Sequence, residues 1–182
     1  MTNLRWLAIT GALFGVTLVV TGWSPFRDLA HQREWQASVV SSSEAELAGI
    51  RVGVREVKAA VIDNKPDRGL LFVRIDLQGP KEAMDAWLEC RVTLQTPDGR
   101  MWQPLSSYEA RGAIRMVASD GKSHDSCYPP SVHNDAPTVF DQLYRIPTAV
   151  LDELTLHVSG FGTRPEALAF ELDPEVRTFK TQ

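Results

Sequence analysis

The residue types that could carry chemistry concentrate in one stretch, Lys122 to Asp135 (KSHDSCYPPSVHND), which holds Ser123, His124, Asp125, Ser131, His133 and Asp135. Serine, histidine and aspartate together suggest nucleophilic hydrolysis. That chemistry needs a nucleophile, a base and an orienting acid brought from rigid, separated elements, with donors facing the developing oxyanion. Three consecutive residues such as Ser123, His124 and Asp125 cannot all point at one reacting atom, so no catalytic residue is assigned. Metal binding suits the stretch better, because His124, Asp125, His133 and Asp135 offer nitrogen and oxygen ligands within one loop. Against it stands a solvated connection made of polar turn formers. The expectation is the latter, with no catalytic centre, cofactor or metal; a metal- or small-molecule-binding domain using residues 122–135 is the alternative. The other two histidines, His31 and His157, fall before the main run of strands and on the outward phase of a strand.

Other chemistries fall away on spacing and charge. Asp63 to Asp67 has two carboxylates but no calcium-loop spacing, and there is no phosphate-binding glycine motif. Trp87 and Trp102 are expected to fill a core or edge rather than form a carbohydrate platform. The chain has 19 basic and 23 acidic residues, a formal net charge of −4. That balance disfavours a nucleic-acid partner.

The elements that must position these residues follow a segment of a different kind. Trp6 to Trp23 (WLAITGALFGVTLVVTGW) is uncharged and mostly apolar. At about 1.5 Å per helical residue it covers about 27 Å, close to the hydrocarbon thickness of a bilayer. Trp6 at one end and Trp23 and Phe26 at the other suit an interfacial aromatic belt. A secretory signal would end at a small-x-small site, but the best candidate, Val20-Thr21-Gly22, runs into Trp23. With no cysteine near the span, a lipidated anchor is not expected. An uncleaved anchor over residues 4–23 is, with the C-terminal part extracytoplasmic. Gly11 and Gly15 lie four apart on one face of that helix, the spacing that allows homodimerisation.

The expected organisation is an anchor at 1–26, a stem at 27–49 that ends beyond the Ser41-Ser42-Ser43 run, and one domain at 50–182. In an exported domain the only two cysteines, Cys90 and Cys127, are expected to form a disulfide, with Cys90 on the inward phase of a strand. Closing a loop of about 38 residues stabilises the fold by about 4 kcal/mol on the chain-entropy model.

Within that domain the apolar period is two. Ile50, Val52 and Val54 alternate with polar residues, and Val57, Ala59 and Val61 continue on the opposite phase, a slip that needs a bulge or a change of sheet. Leu71 to Leu77 and Leu88 to Leu94 read as half-buried strands. Asp63 to Gly69 reads as a turn, and Thr96-Pro97-Asp98-Gly99 as the tip of a hairpin returning through Arg100 to Leu105. Ile114 to Ala118, Phe140 to Ile146, Leu154 to Val158 and Leu168 to Leu172 add four short runs. Trp35 to Val40 could add one more. Only Lys81 to Trp87 and Thr148 to Glu153 look helical. Seven or eight short strands without a long amphipathic helix predict an antiparallel, immunoglobulin-like two-sheet β-sandwich, with a closed barrel as the alternative.

Cys90 and Trp102 are spaced like the cysteine and core tryptophan of immunoglobulin domains, but Cys127 comes too early and has no tyrosine two residues before it. The layout more closely resembles the telokin-like, immunoprotective-extracellular domains of bacterial surface proteins. An anchor and stem precede Ile50 to Val61, Leu70 to Leu77 (LLFVRIDL) and the Pro97-Asp98-Gly99-Arg100 hairpin. Phe140 to Pro147 (FDQLYRIP), a short helical turn and Leu154 to Val158 (LTLHV) follow. The resemblance covers about two-thirds of the chain. It implies a sandwich with a surface-exposed binding or structural role, contacting a protein partner in the envelope, and transfers no catalytic residues.

Overall fold

Helix α1 (Thr2–Ala30) opens the chain in the computed structural model, which describes residues 2–30, 34, 36–127 and 136–180. No residue of its apolar window, Trp6–Trp23, is buried against the rest of the protein. The hydroxyls inside the window are satisfied within the helix: Thr10, Thr17 and Thr21 donate to the carbonyls of Trp6, Leu13 and Thr17 at 2.9, 2.8 and 2.6 Å. A helix that leaves neither backbone nor hydroxyl donors unpaired is what a hydrocarbon environment demands.

Ten strands follow among the described residues, in two sheets. The first sheet is ordered β1 (Gln36–Val40), β9 (Glu166–Glu171), β8 (Thr155–Ser159), β5 (Arg91–Gln95), β6 (Met101–Trp102). The second is ordered β10 (Glu175–Phe179), β3 (Ile50–Ile62), β4 (Lys65–Gln78), β7 (Thr138–Pro147), with β2 (Glu44–Leu47) paired to the start of β3. Among the described residues no strand joins one sheet to the other, so the fold is the expected sandwich and not a closed barrel. Pairing is antiparallel except for β1 with β9 and β10 with β3, which are parallel.

The two sheets enclose one core. Leu71, Val73, Ile75 and Leu77 of β4 meet Val92, Leu94, Leu156, Val158, Leu168 and Phe170 of the other sheet, with Trp87 fully buried among them. The Tyr144 hydroxyl crosses from β7 to donate to the Val92 carbonyl at 3.0 Å, and burial pushes its pKa far up, which keeps it a donor. The phase slip in β3 is a bulge between Val54 and Glu56. Arg55, the extra residue, reaches Asp76 at 2.8 Å and Glu44 at 2.5 Å. Gly53 leaves the space for this, since a Cβ there would collide with the Asp76 carboxylate. The tip at Thr96–Arg100 closes as expected, with Gly99 at φ 84° and its N–H bonded to the Thr96 carbonyl at 2.9 Å. Lys81–Ala83 and Thr148–Glu153 are 3-10 turns, and the first continues into the single helical turn α2 (Met84–Trp87).

Several expectations need correction. Ile114 to Ala118 is not a strand; it belongs to helix α3 (Ser107–Val117), whose Ala110, Ile114 and Val117 recur at helical spacing and are buried. Residues 36–47 of the segment read as stem are β1 and β2, so the sheets begin before Ile50. A two-residue turn with Ala48 and Gly49 both at positive φ joins β2 to β3. The polar cluster 63–69 is a short turn at Asp63 and Asn64, after which β4 begins at Lys65. Strand β4 is not half-buried: Leu71 to Leu77 are all buried, because α3 and its following loop cover the face turned away from the core. Cys90 lies just before β5 rather than in it, after Glu89 at φ 52°, and Arg100 to Leu105 contributes only the two residues of β6.

Candidate functional site

The outer face of the second sheet is where the described polar residues converge. Along β4 that face carries Leu70, Phe72, Arg74 and Asp76, and α3 lies across it. Ala110, Ile114, Val117 and Ala118 cover Phe72 with Ala60 of β3 and Leu143 of β7, making a second apolar cluster separate from the main core. Helix α3 starts here at Ser106, in the S-x-x-E sequence pattern of a capping box: the Ser106 hydroxyl accepts the Glu109 N–H at 3.5 Å and donates to the Glu109 carboxylate at 3.0 Å. The helix divides the face into two parts of opposite character.

On one side is an ionic cluster. Arg74, 8% exposed, bonds both oxygens of Asp141 through Nε at 2.7 Å and Nη2 at 3.1 Å. Its Nη1 lies 3.0 Å from Asp120 and 3.5 Å from Glu56, and Nη2 also donates to the Lys122 carbonyl at 3.3 Å. These hydrogen bonds hold the guanidinium further into its charged range, Asp141 first among them and against the cost of burial. Glu56 lies 2.6 Å from Lys58 and accepts the Ser119 N–H at 2.8 Å. Burial pushes the Glu56 carboxyl up, but Lys58 and Ser119 outweigh it and hold it below the ordinary carboxylate value.

His124 belongs to this cluster. Its backbone N–H and its Nδ1 both face Asp141 Oδ2, at 2.7 and 3.1 Å. The carbonyl of Asp125 accepts the Asp141 N–H at 3.1 Å, while its carboxylate is exposed and 3.9 Å from Arg111. The two residues thus face different partners, and the loop is fastened along the free edge of β7. The space enclosed by Ser123, His124, Asp125 and Asp141 under α3 is about 10 Å³, the lower limit for a single water. His133 and Asp135 lie outside the described residues. Among those described, no group of three or more His, Cys, Asp or Glu is placed to hold a metal.

On the other side of α3, toward the β3–β4 turn, is an apolar groove of about 450 Å³. Ala60, Ile62 and Leu70 form its floor, and Ala113, Met116 and Val117 of α3 form one wall. Phe179 of β10 closes an end beside Ile62, with which it pairs. Lys65, Arg68 and Arg145 line it as well, and among the described residues no carboxylate does. Arg68 has an exposed contact with Asp67 at 3.6 Å; among the described residues Lys65 and Arg145 have no acidic partner. This groove is not among the features expected from the sequence. Its signal was the capping-box pattern at Ser106 and Glu109 together with the helical spacing of Ala110, Ile114 and Val117.

The remaining singled-out residues lie elsewhere. Cys90 and Cys127 form the expected disulfide, Sγ–Sγ 2.04 Å, against the main core. Gly11 and Gly15 are open, with nothing within 4 Å of an added Cβ. His157 is not outward in the sense expected: it is 7% exposed, with Glu34 Oε2 at 3.7 Å covering Nδ1. Burial lowers its pKa and Glu34 partly offsets this. Arg164, buried, donates to the carbonyls of Gly160 and Glu89 at 3.0 and 3.1 Å.

No family model matches this chain, and no curated protein matches it. Two solved structures are similar to it, each described as a putative lipoprotein. One, from Bacillus subtilis subsp. subtilis str. 168, is 12% identical with a TM-score of 0.43, over 74% of this chain and 39% of that one. The other, from Staphylococcus aureus subsp. aureus NCTC 8325, is 8% identical with a TM-score of 0.43, over 77% of this chain and 96% of that one.

Proposed function

We propose that this chain is a membrane-anchored extracytoplasmic protein whose sandwich is a non-catalytic interaction or structural module of the cell envelope, of the telokin-like immunoprotective-extracellular type. The observation that carries the reading is the apolar window Trp6–Trp23, unburied over its whole length and followed by a disulfide-bonded domain. An apolar surface of that length in water would be an association hazard, and in a bilayer it is matched. The disulfide suits an oxidising compartment.

A protein partner is the natural occupant of such a module. Two edge strands offer it backbone: β1 with Val39 69% exposed, and β10 with Val176 55% exposed. The third long edge, β7, is already blunted, since its Leu143 carbonyl and Asp141 N–H are taken by Leu105 and Asp125. Self-association of α1 through Gly11 and Gly15 fits the same reading. Purification of the full chain from membranes through a C-terminal affinity tag tests it. One stoichiometric envelope partner, lost when Val39→Lys or Val176→Lys is introduced, is expected. Turnover of a small substrate by the purified chain would contradict it.

A further inference from the structure

We infer that the groove beside α3 binds an anionic amphiphile, an acyl chain carrying a single negative head group. Three observations converge on this. The groove holds about 450 Å³, within the range of small-molecule sites and small for a folded partner. Its floor and helical wall are apolar: Ala60, Ile62, Leu70, Ala113, Met116 and Val117. Among the described residues its charged lining consists of the three cations Lys65, Arg68 and Arg145, in a chain whose net charge is −4.

Strand register places those cations together. Ile62 pairs with Lys65, Arg68 with Pro147 and Leu70 with Arg145, so all three sit at the β3–β4 turn end of the sheet, beyond the part that α3 covers. A ligand lying along the floor would have its tail against α3 and its head among the cations. Lysine and arginine stems extend the apolar lining while their heads stay in water. Met116, 70% exposed on the wall, is a flexible thioether suited to a chain of variable shape. A cationic or zwitterionic amphiphile would meet the same floor but no matching charge, and an inorganic anion would have the charge but no floor. The ionic cluster around Arg74 contributes nothing here, because it lies on the opposite side of α3 and its cations are paired. The groove belongs to the sandwich, so this inference does not depend on the anchor.

The test uses the full chain, isotopically labelled at its methionine methyls and held in phosphatidylcholine nanodiscs. Met116 reports the groove, Met101 the far sheet and Met84 the core. Titration with decanoate is expected to shift the Met116 methyl saturably while Met101 and Met84 stay fixed, and decyltrimethylammonium is expected to leave all three unmoved. The double variant Lys65→Glu/Arg145→Glu should bind decanoate about tenfold more weakly, about 1.4 kcal/mol. Its Met84 and Met101 signals report whether it is folded; if it is not, Ala113→Trp, which fills the groove and keeps every cation, must abolish the response. Replacing part of the phosphatidylcholine by phosphatidylglycerol identifies the source. A Met116 shift without decanoate assigns the site to anionic lipid of the bilayer, and a shift with decanoate alone assigns it to a free amphiphile. The inference is overturned if Met116 ignores both anions, if decyltrimethylammonium shifts it equally, or if the folded charge-reversed or groove-filled variant responds as the parent does.

Discussion

Arg74 faces three carboxylates at once, Glu56, Asp120 and Asp141, and only Asp120 among them is substantially exposed. Removing one member of a buried pair strands its partner and costs about 3 kcal/mol or more. Arg74→Ala should therefore lower the urea midpoint strongly, whereas Arg68→Ala, exposed at the groove, should leave it within about 0.5 kcal/mol of the parent. His157 gives a pH dependence. Its folded pKa is depressed by burial below the ordinary 6.5, so the unfolded chain takes up the proton first as pH falls. The stability it contributes is present above 6.5 and lost as pH falls toward and through the lower folded value. Melting temperature should decline across that window, and His157→Gln should flatten this part of the profile. Glu56, held below its ordinary 4.5, adds a loss of the same sign at lower pH. In the sequence only His124 and Asp125 announce the cluster, because they are neighbours among polar residues. Glu56, Arg74 and Asp141 come from three strands far apart in the chain, and nothing local marks them as partners.

Helix α3 separates the ionic cluster from the groove, and its start depends on a local signal. Ser106→Ala removes the cap and should destabilise the protein by about 1 kcal/mol, read as a lower urea midpoint. Because α3 packs on the small cluster around Phe72 and Leu143, outside the main core, the same change should speed amide exchange in α3 before the core strands. Ile114, Met116 and Ala118 alternate well enough to imitate a strand, but the buried set is Ala110, Ile114 and Val117, and the capping-box pattern agrees with that spacing. The strands with one apolar face, such as β8 and β9, were legible from period two. Strand β10 was not, because four of its five residues are exposed and it has no apolar phase to read. β2 was hidden by its two acidic residues, and its pairing with β3 depends on the positive φ of Ala48 and Gly49.

For the molecule as a whole, the disulfide and the unburied apolar helix are the features on which the proposed anchored, extracytoplasmic reading rests. Cys90 and Cys127 enclose β5, the turn to β6, β6 and α3, so the bond tethers the groove's helix to the main core. Reduction should cost about 4 kcal/mol on the chain-entropy model, a fall in melting temperature of roughly 10 °C. The sandwich was legible because its main strands keep their apolar phase; the groove was not, since it exists only once β3, β4, β7, β10 and α3 are assembled. The central claim, an anchored extracytoplasmic module, is tested most directly by the intact mass of the protein that stays in the membrane pellet after alkaline carbonate washing. The account predicts an uncleaved N-terminal helix and a mass short of the reduced chain by the hydrogens lost to the Cys90–Cys127 bond. A chain released to the supernatant, or one beginning near Trp23, would contradict it.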